Sequence, residues 1–170
     1  MSVKTLLDNL FKLEGNIEMN KIFYDSQDVN LNDDSRNLRS KFDIFKEDPY
    51  SKGRRIKDKI VDGAGHYNDC PYYLIEVTTS DILKALSQIE STIRHIYKNG
   101  EKVRKVAIIL DEKRWKDTLA RSYYKIKDDL LFIKGKNNNY KLTFSYDGSA
   151  YEFDIFCYLK NFQKYDILRA

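Results

Sequence analysis

Cysteine is nearly missing from this chain. Cys70 and Cys157 are the only two, they lie far apart, and neither belongs to a CxxC or Cys/His cluster. That argues against a structural zinc site and a disulfide framework, and it points to a reducing compartment. Proline is as scarce: Pro49 marks a break after Asp48, and Pro71 closes the turn-rich run Asn68-Asp69-Cys70. No apolar run is long enough to span a bilayer, and neither an N-terminal charged-then-apolar signal nor a lipidation motif is found, so the expectation is a soluble, cytoplasmic protein without a membrane partner. There is no internal repeat.

What the chain does have is charge and aromatic surface. Charged residues make up 33% of its 170 positions and hydrophobic ones 42%, which describes one globular domain over residues 1–170 with a heavily solvated surface. Thirteen Tyr and nine Phe stand against one Trp; tyrosine suits half-buried strands and nucleic-acid surfaces equally. A net charge of +4 favours polyanionic partners without demanding them.

The pattern along the chain predicts an α/β (α+β) domain. Val3, Leu6, Leu7, Leu10, Phe11 and Leu13 have helical spacing. A short strand follows within residues 21–29, and residues 30–37 read as a polar loop. The run Tyr72-Tyr73-Leu74-Ile75-Glu76-Val77-Thr78 is aromatic, β-branched or aliphatic except for one carboxylate, which is how a strand inside a sheet reads. Period-2 alternation puts Tyr72, Leu74, Glu76 and Thr78 on one face. With Arg54–Val61 as its partner, this strand forms a hairpin over about residues 54–78, with Gly63 and Gly65 allowing a tight bend. Residues 81–99 are the clearest helix: Ile82, Leu86, Ile89, Ile93 and Ile96 form one stripe, stopped at Asn99-Gly100. A buried strand over 103–110 implies a parallel crossover. A second amphipathic helix is predicted over 111–127, bearing Trp115, Leu119, Tyr123 and Ile126. An antiparallel β meander over about 128–170 then follows the core of residues 1–127, with strands at 130–133, 140–146 and 151–158 and a last short helix.

Glu76 is the residue to explain. A bare carboxylate on a largely buried strand costs several kcal/mol, roughly, unless it is paired, hydrogen-bonded or bound to a metal. A structural glutamate held by an arginine or by helix N–H groups is one answer. A second acid, Asp62, sits fourteen positions earlier, and two carboxylates on adjacent strands form a hard-oxygen site for Mg²⁺ or Mn²⁺.

This order, an acid after one strand, an acid on its partner, then helix and strand, resembles the PD-(D/E)XK nuclease superfamily. The matching segment is IVDGAGHYNDCPYYLIEVTTSDILKALSQIE, residues 60–90. The resemblance implies a restriction-endonuclease-like core with a mixed central sheet flanked by helices. It also implies Mg²⁺-dependent hydrolysis of DNA, with Asp62 and Glu76 as metal ligands and catalytic acids. The chain departs from the family at Thr78, where the family's lysine stands. Some members carry that lysine on the following helix, where Lys84 is the nearest candidate and Gln88 resembles a glutamine found there in some subfamilies. At about 100° per residue, Lys84 and Gln88 point well away from the isoleucine stripe, which turns Lys84 to solvent unless its stem curls back at the helix start. Lys57, Lys59 or Lys105 are the other sources of a cation, and Glu14 or Glu18 of a further acid. His66, in the Gly-rich bend, reads either as an acid/base group or metal ligand or as a surface-loop histidine.

The basic run of residues 52–59 supplies Lys52, Arg54, Arg55, Lys57 and Lys59, which suits phosphate contact with a nucleic-acid partner, DNA by the resemblance. A homodimer is left open. The competing expectation is a protein of the same fold that has lost catalysis and binds nucleic acid or a protein partner.

Overall fold

In the computed structural model the described residues are 21–25, 37–47, 50, 53, 55–78, 82–110, 123–127, 130–134 and 140–159. The expected first helix, with Glu14 and Glu18, the short terminal helix and residues 111–122 lie outside them. The fold is α+β. Its strands are β1 (Lys21–Tyr24), β2 (Phe45–Glu47), β3 (Arg55–Lys57), β4 (Gly63–His66), β5 (Tyr72–Val77), β6 (Val103–Leu110), β7 (Tyr123–Lys127), β8 (Leu130–Lys134), β9 (Tyr140–Tyr146) and β10 (Ser149–Leu159). The helices among the described residues are α1 (Leu38–Lys41) and α2 (Ile82–Lys98).

Eight strands form one mixed sheet in the order β1-β4-β5-β6-β10-β9-β8-β7, while β2 and β3 pair separately. β5 and β6 are parallel, as are β6 and β10, and the other neighbours are antiparallel. The expected meander is present, and β10 joins it to the core strand β6, so one sheet runs through both halves of the chain.

α2 forms where its pattern predicts. Leu86, Ile89, Ile93 and Ile96 are fully buried and pack in one cluster with Leu74 of β5, Val106 and Ile108 of β6 and Phe144 of β9. Burying side chains of this size contributes about 1.5–3 kcal/mol each. Gly100, with φ 77°, ends the helix: its N–H donates to Tyr97 O and that of Glu101 to Ile96 O, at 3.0 and 3.1 Å. Only a residue that tolerates the left-handed region makes this stop cheaply.

Two expectations are corrected. The partner of β5 is the glycine-rich Gly63–His66 segment itself, whose four residues are all buried, with the turn falling at residues 67–71. Arg55–Lys57 instead pairs with Phe45–Glu47. Glycine has low strand propensity, yet β4 lies between β1 and β5, and hydrogen bonding on both sides outweighs that preference. Residues 123–127, expected at the end of a helix, form β7 against β8. Spacings of three and four in a short aromatic run fit either element, and the ladder decides.

Candidate active site at the end of the central hairpin

Glu76 shares its sheet face with Leu74, so it points to the side that α2 covers, and it is only 3% exposed. Gly63 pairs with Ile75 and with Tyr24; one step further along the same ladders, Asp62 stands opposite both Glu76 and Asp25. Directly opposed residues of antiparallel strands project to the same side. Three acids, one just past the end of β1, one just before β4 and one on β5, are therefore level with one another.

The hydrogen bonds fit this register. The Asp62 N–H donates to Glu76 Oε2 at 3.1 Å, and the Val77 N–H donates to Asp62 Oδ2 at 2.8 Å. Each carboxylate is thus clasped by the partner strand's backbone. The Asp25 N–H donates to Asp62 O at 3.1 Å, tying in the third strand. Burial pushes the Glu76 carboxyl up to about 9, helped by the Asp62 charge and offset in part by the Asp62 N–H and the charge of Lys84. At neutral pH and without a bound cation, Glu76 holds its proton.

Asp25 is resolved differently. Arg39 Nε and Nη2 reach its two oxygens at 2.7 and 2.8 Å, and Nη1 donates to Asp58 O at 2.6 Å. The guanidinium is 4% exposed as a residue, so this is a buried two-pronged ion pair. Neither Asp25 nor Arg39 was among the sequence candidates. The acid at the end of the strand Lys-Ile-Phe-Tyr was a visible signal, while the distant arginine was not.

α2 positions the acidic end of the hairpin with two side chains. Gln88 Nε2 donates to Ile60 O at 2.8 Å. The Val61 N–H donates to Thr92 Oγ1 at 3.0 Å, and Thr92 in turn donates to Gln88 O at 2.8 Å. Gln88 is therefore half-buried against the chain entering Asp62 rather than turned away from the sheet, because residues 58–62 run alongside that flank of α2. Thr92 was missed in the sequence, where it reads as one more polar helix residue. Lys84 is exposed as the wheel implies, yet its charge acts on Glu76.

Other candidates fall elsewhere. His66 is buried on β4, not in a surface loop. It sits at the opposite end of the hairpin from Asp62, stacked on Phe23 and tilted against Tyr72. Its Nδ1–H donates to Asn68 O at 2.8 Å, and burial lowers its pKa, so it stays neutral. Lys105 is in register with Tyr73 and occupies the face opposite Glu76. Lys52 and Arg54 lie outside the described residues. Arg55 pairs with Asp43 at 2.8 Å and lies over the Phe45 ring, and Lys57 and Lys59 are exposed.

Among the described residues no three His, Cys, Asp or Glu side chains are grouped to hold a metal. Asp62 and Glu76 would offer a cation two hard oxygen donors. That donor set suits Mg²⁺, which keeps several waters and is bound through one or two carboxylates. A buried acid held protonated beside a second acid also marks a place short of positive charge. No helix among the described residues is long and apolar enough to cross a membrane. No family model matches the chain, nor does any curated protein or solved structure.

Proposed function

We propose that this chain is a metal-dependent nuclease that hydrolyses phosphodiester bonds in DNA, with Asp62 and Glu76 binding Mg²⁺ or Mn²⁺. The observation that carries this reading is the level, same-face pairing of Asp62 with a Glu76 carboxyl raised to about 9. Asp62 and Glu76 would hold the cation, Glu76 giving up its proton to do so. The strand order β1-β4-β5-β6, with α2 between the parallel β5 and β6, supports a restriction-endonuclease-like core, since hairpin, helix and strand follow in the sequence that the resemblance implies.

When bound, the cation supplies charge stabilisation to an already anionic transition state and lowers the pKa of a water. The chain's own residues orient and tune. Gln88 and Thr92 hold Ile60 and Val61, and through them the Asp62 backbone. Lys84 brings positive charge toward the acids from α2, in place of the amine that Thr78 lacks.

The test is cleavage of plasmid and single-stranded DNA with Mg²⁺ or Mn²⁺. Wild type nicks or degrades DNA, and Glu76→Gln abolishes cleavage while binding is nearly retained, because the amide keeps the volume and removes the charge. A wild-type protein that cleaves neither DNA nor RNA with either metal overturns the nuclease reading. The catalytically silent alternative rests on Thr78 and on a carboxyl pair that closes its own hydrogen bonds without a cation.

A further inference from the structure

The outer side of α2 carries a second feature. A cleft of about 660 Å³ runs between this helix and the chain of β2 and residues 58–59, with Lys46, Lys59, Arg94 and Lys98 among its walls. Ser87, Ser91 and Lys98 line it from one helix face, at spacings of four and seven. At 1.5 Å per residue that face is about 17 Å long. Every polar side chain it presents can donate a hydrogen bond. The only carboxylate of α2, Glu90, is buried and paired with Arg94 at 2.8 Å.

The two acids of the cleft are already matched. Asp43 meets Arg55 at 2.8 Å, and Asp58 meets Lys46 at 2.7 Å and His95 at 2.9 Å. Lys46 and His95 together hold the Asp58 carboxyl below its ordinary value against its partial burial. Lys59 and Lys98 are exposed and pair with no acid among the described residues. Phe45 adds a half-exposed ring to the same wall. Lysines along a cleft beside a part-exposed aromatic ring, which carries Arg55 over one face, are what a single strand of nucleic acid needs, the cations tracking phosphates and the ring meeting a base.

We infer that this cleft binds a single-stranded segment of nucleic acid, through Lys59 and Lys98 on its phosphates and Phe45 on a base. The strand then runs along α2 from Lys98 toward Lys84 and the Asp62–Glu76 pair. This inference rests on the nuclease reading for its choice of polyanion, but its test does not require cleavage.

Fluorescence anisotropy in EDTA, with one labelled oligonucleotide offered single-stranded or as duplex, separates the two ideas. Wild type binds the single strand more tightly. Lys59→Ala/Lys98→Ala lowers that affinity at least tenfold at low salt and flattens the slope of log K against log salt by about 1.4, at roughly 0.7 per single-strand phosphate contact. Phe45→Leu weakens binding severalfold with the salt slope unchanged. Lys102→Ala, an exposed lysine that lies over the Tyr97 and Tyr151 rings and is not among the walls of the cleft, changes neither. A duplex preference, or an unchanged slope in the double variant, overturns the cleft, whatever the cleavage assay shows. Failure to cleave with Mg²⁺ while these binding results hold overturns the nuclease and leaves the cleft standing.

Discussion

Asp25 and Glu76 are two buried acids on the same sheet face, level with each other on either side of Asp62. Asp25 meets a guanidinium through both oxygens. Glu76 meets a backbone N–H and the charge of an exposed lysine, and its carboxyl stays protonated. The difference separates a carboxylate that closes a fold from one that waits for charge. Desolvation is the same problem for both: among the described residues Asp25 is answered by a guanidinium, and Glu76 by holding its proton.

The sharpest way to break this comparison is to take away the answer that Asp25 has. Arg39→Ala leaves a buried carboxylate unpaired and costs about 3–5 kcal/mol of stability, read as a fall in the urea midpoint. Arg39→Met with Asp25→Leu recovers most of that loss, since an apolar pair carries no desolvation penalty. If Arg39→Ala unfolds at the wild-type midpoint, the ion pair is not what holds β1 to α1.

On the other acid, Lys84→Ala lowers the cleavage rate by at least about a hundredfold, on the order of 2.7 kcal/mol of barrier, in a single-turnover assay. A variant that cleaves at the wild-type rate places the cation elsewhere, with Lys57 or Lys59 next to test.

Linkage gives a smaller effect with a definite sign. Glu76 binds its proton more tightly folded, with a pKa of about 9 against an ordinary 4.5. Its contribution is therefore fully present below about pH 4.5 and is lost as pH rises toward 9. Glu76→Gln removes that dependence and raises the metal-free Tm at pH 8 by a few degrees, at roughly 2–4 °C per kcal/mol for a chain of this size. Mg²⁺ raises the Tm of wild type and leaves that of the variant unchanged. Parallel melting curves for the two proteins between pH 5 and 9, within about 1 °C, contradict the assignment of a raised carboxyl to Glu76.

The smallest effect concerns the supports. Thr92→Val leaves the Val61 N–H without its acceptor and costs about 1–2 kcal/mol, by chemical denaturation. If the Asp62–Glu76 pair depends on this support, Mg²⁺ affinity falls with it; a stability loss with unchanged Mg²⁺ binding confines Thr92 to the fold.

Much of the architecture was legible because it follows from periodicity. The isoleucine stripe of α2, the buried run of β6 and the alternating strands of the meander each carry a local pattern strong enough to specify the element. β4 carries none, since two glycines, an alanine and a histidine become a strand only when both neighbours supply hydrogen bonds. β7 was misread for the converse reason: a short aromatic run fits the helical period until a partner strand is beside it.

By itself, then, the sequence determined the element types with strong periods, the face on which Glu76 lies and the candidacy of Asp62 as its companion. Tertiary structure alone decided that Asp25 stands level with them, that Arg39 satisfies Asp25 and not Glu76, and that Gln88 and Thr92 hold the chain entering Asp62. Arg39 is 14 positions from Asp25, and Gln88 is 28 from Ile60. A contact across that distance depends on the sheet register and on how α2 lies over it, which no local pattern encodes.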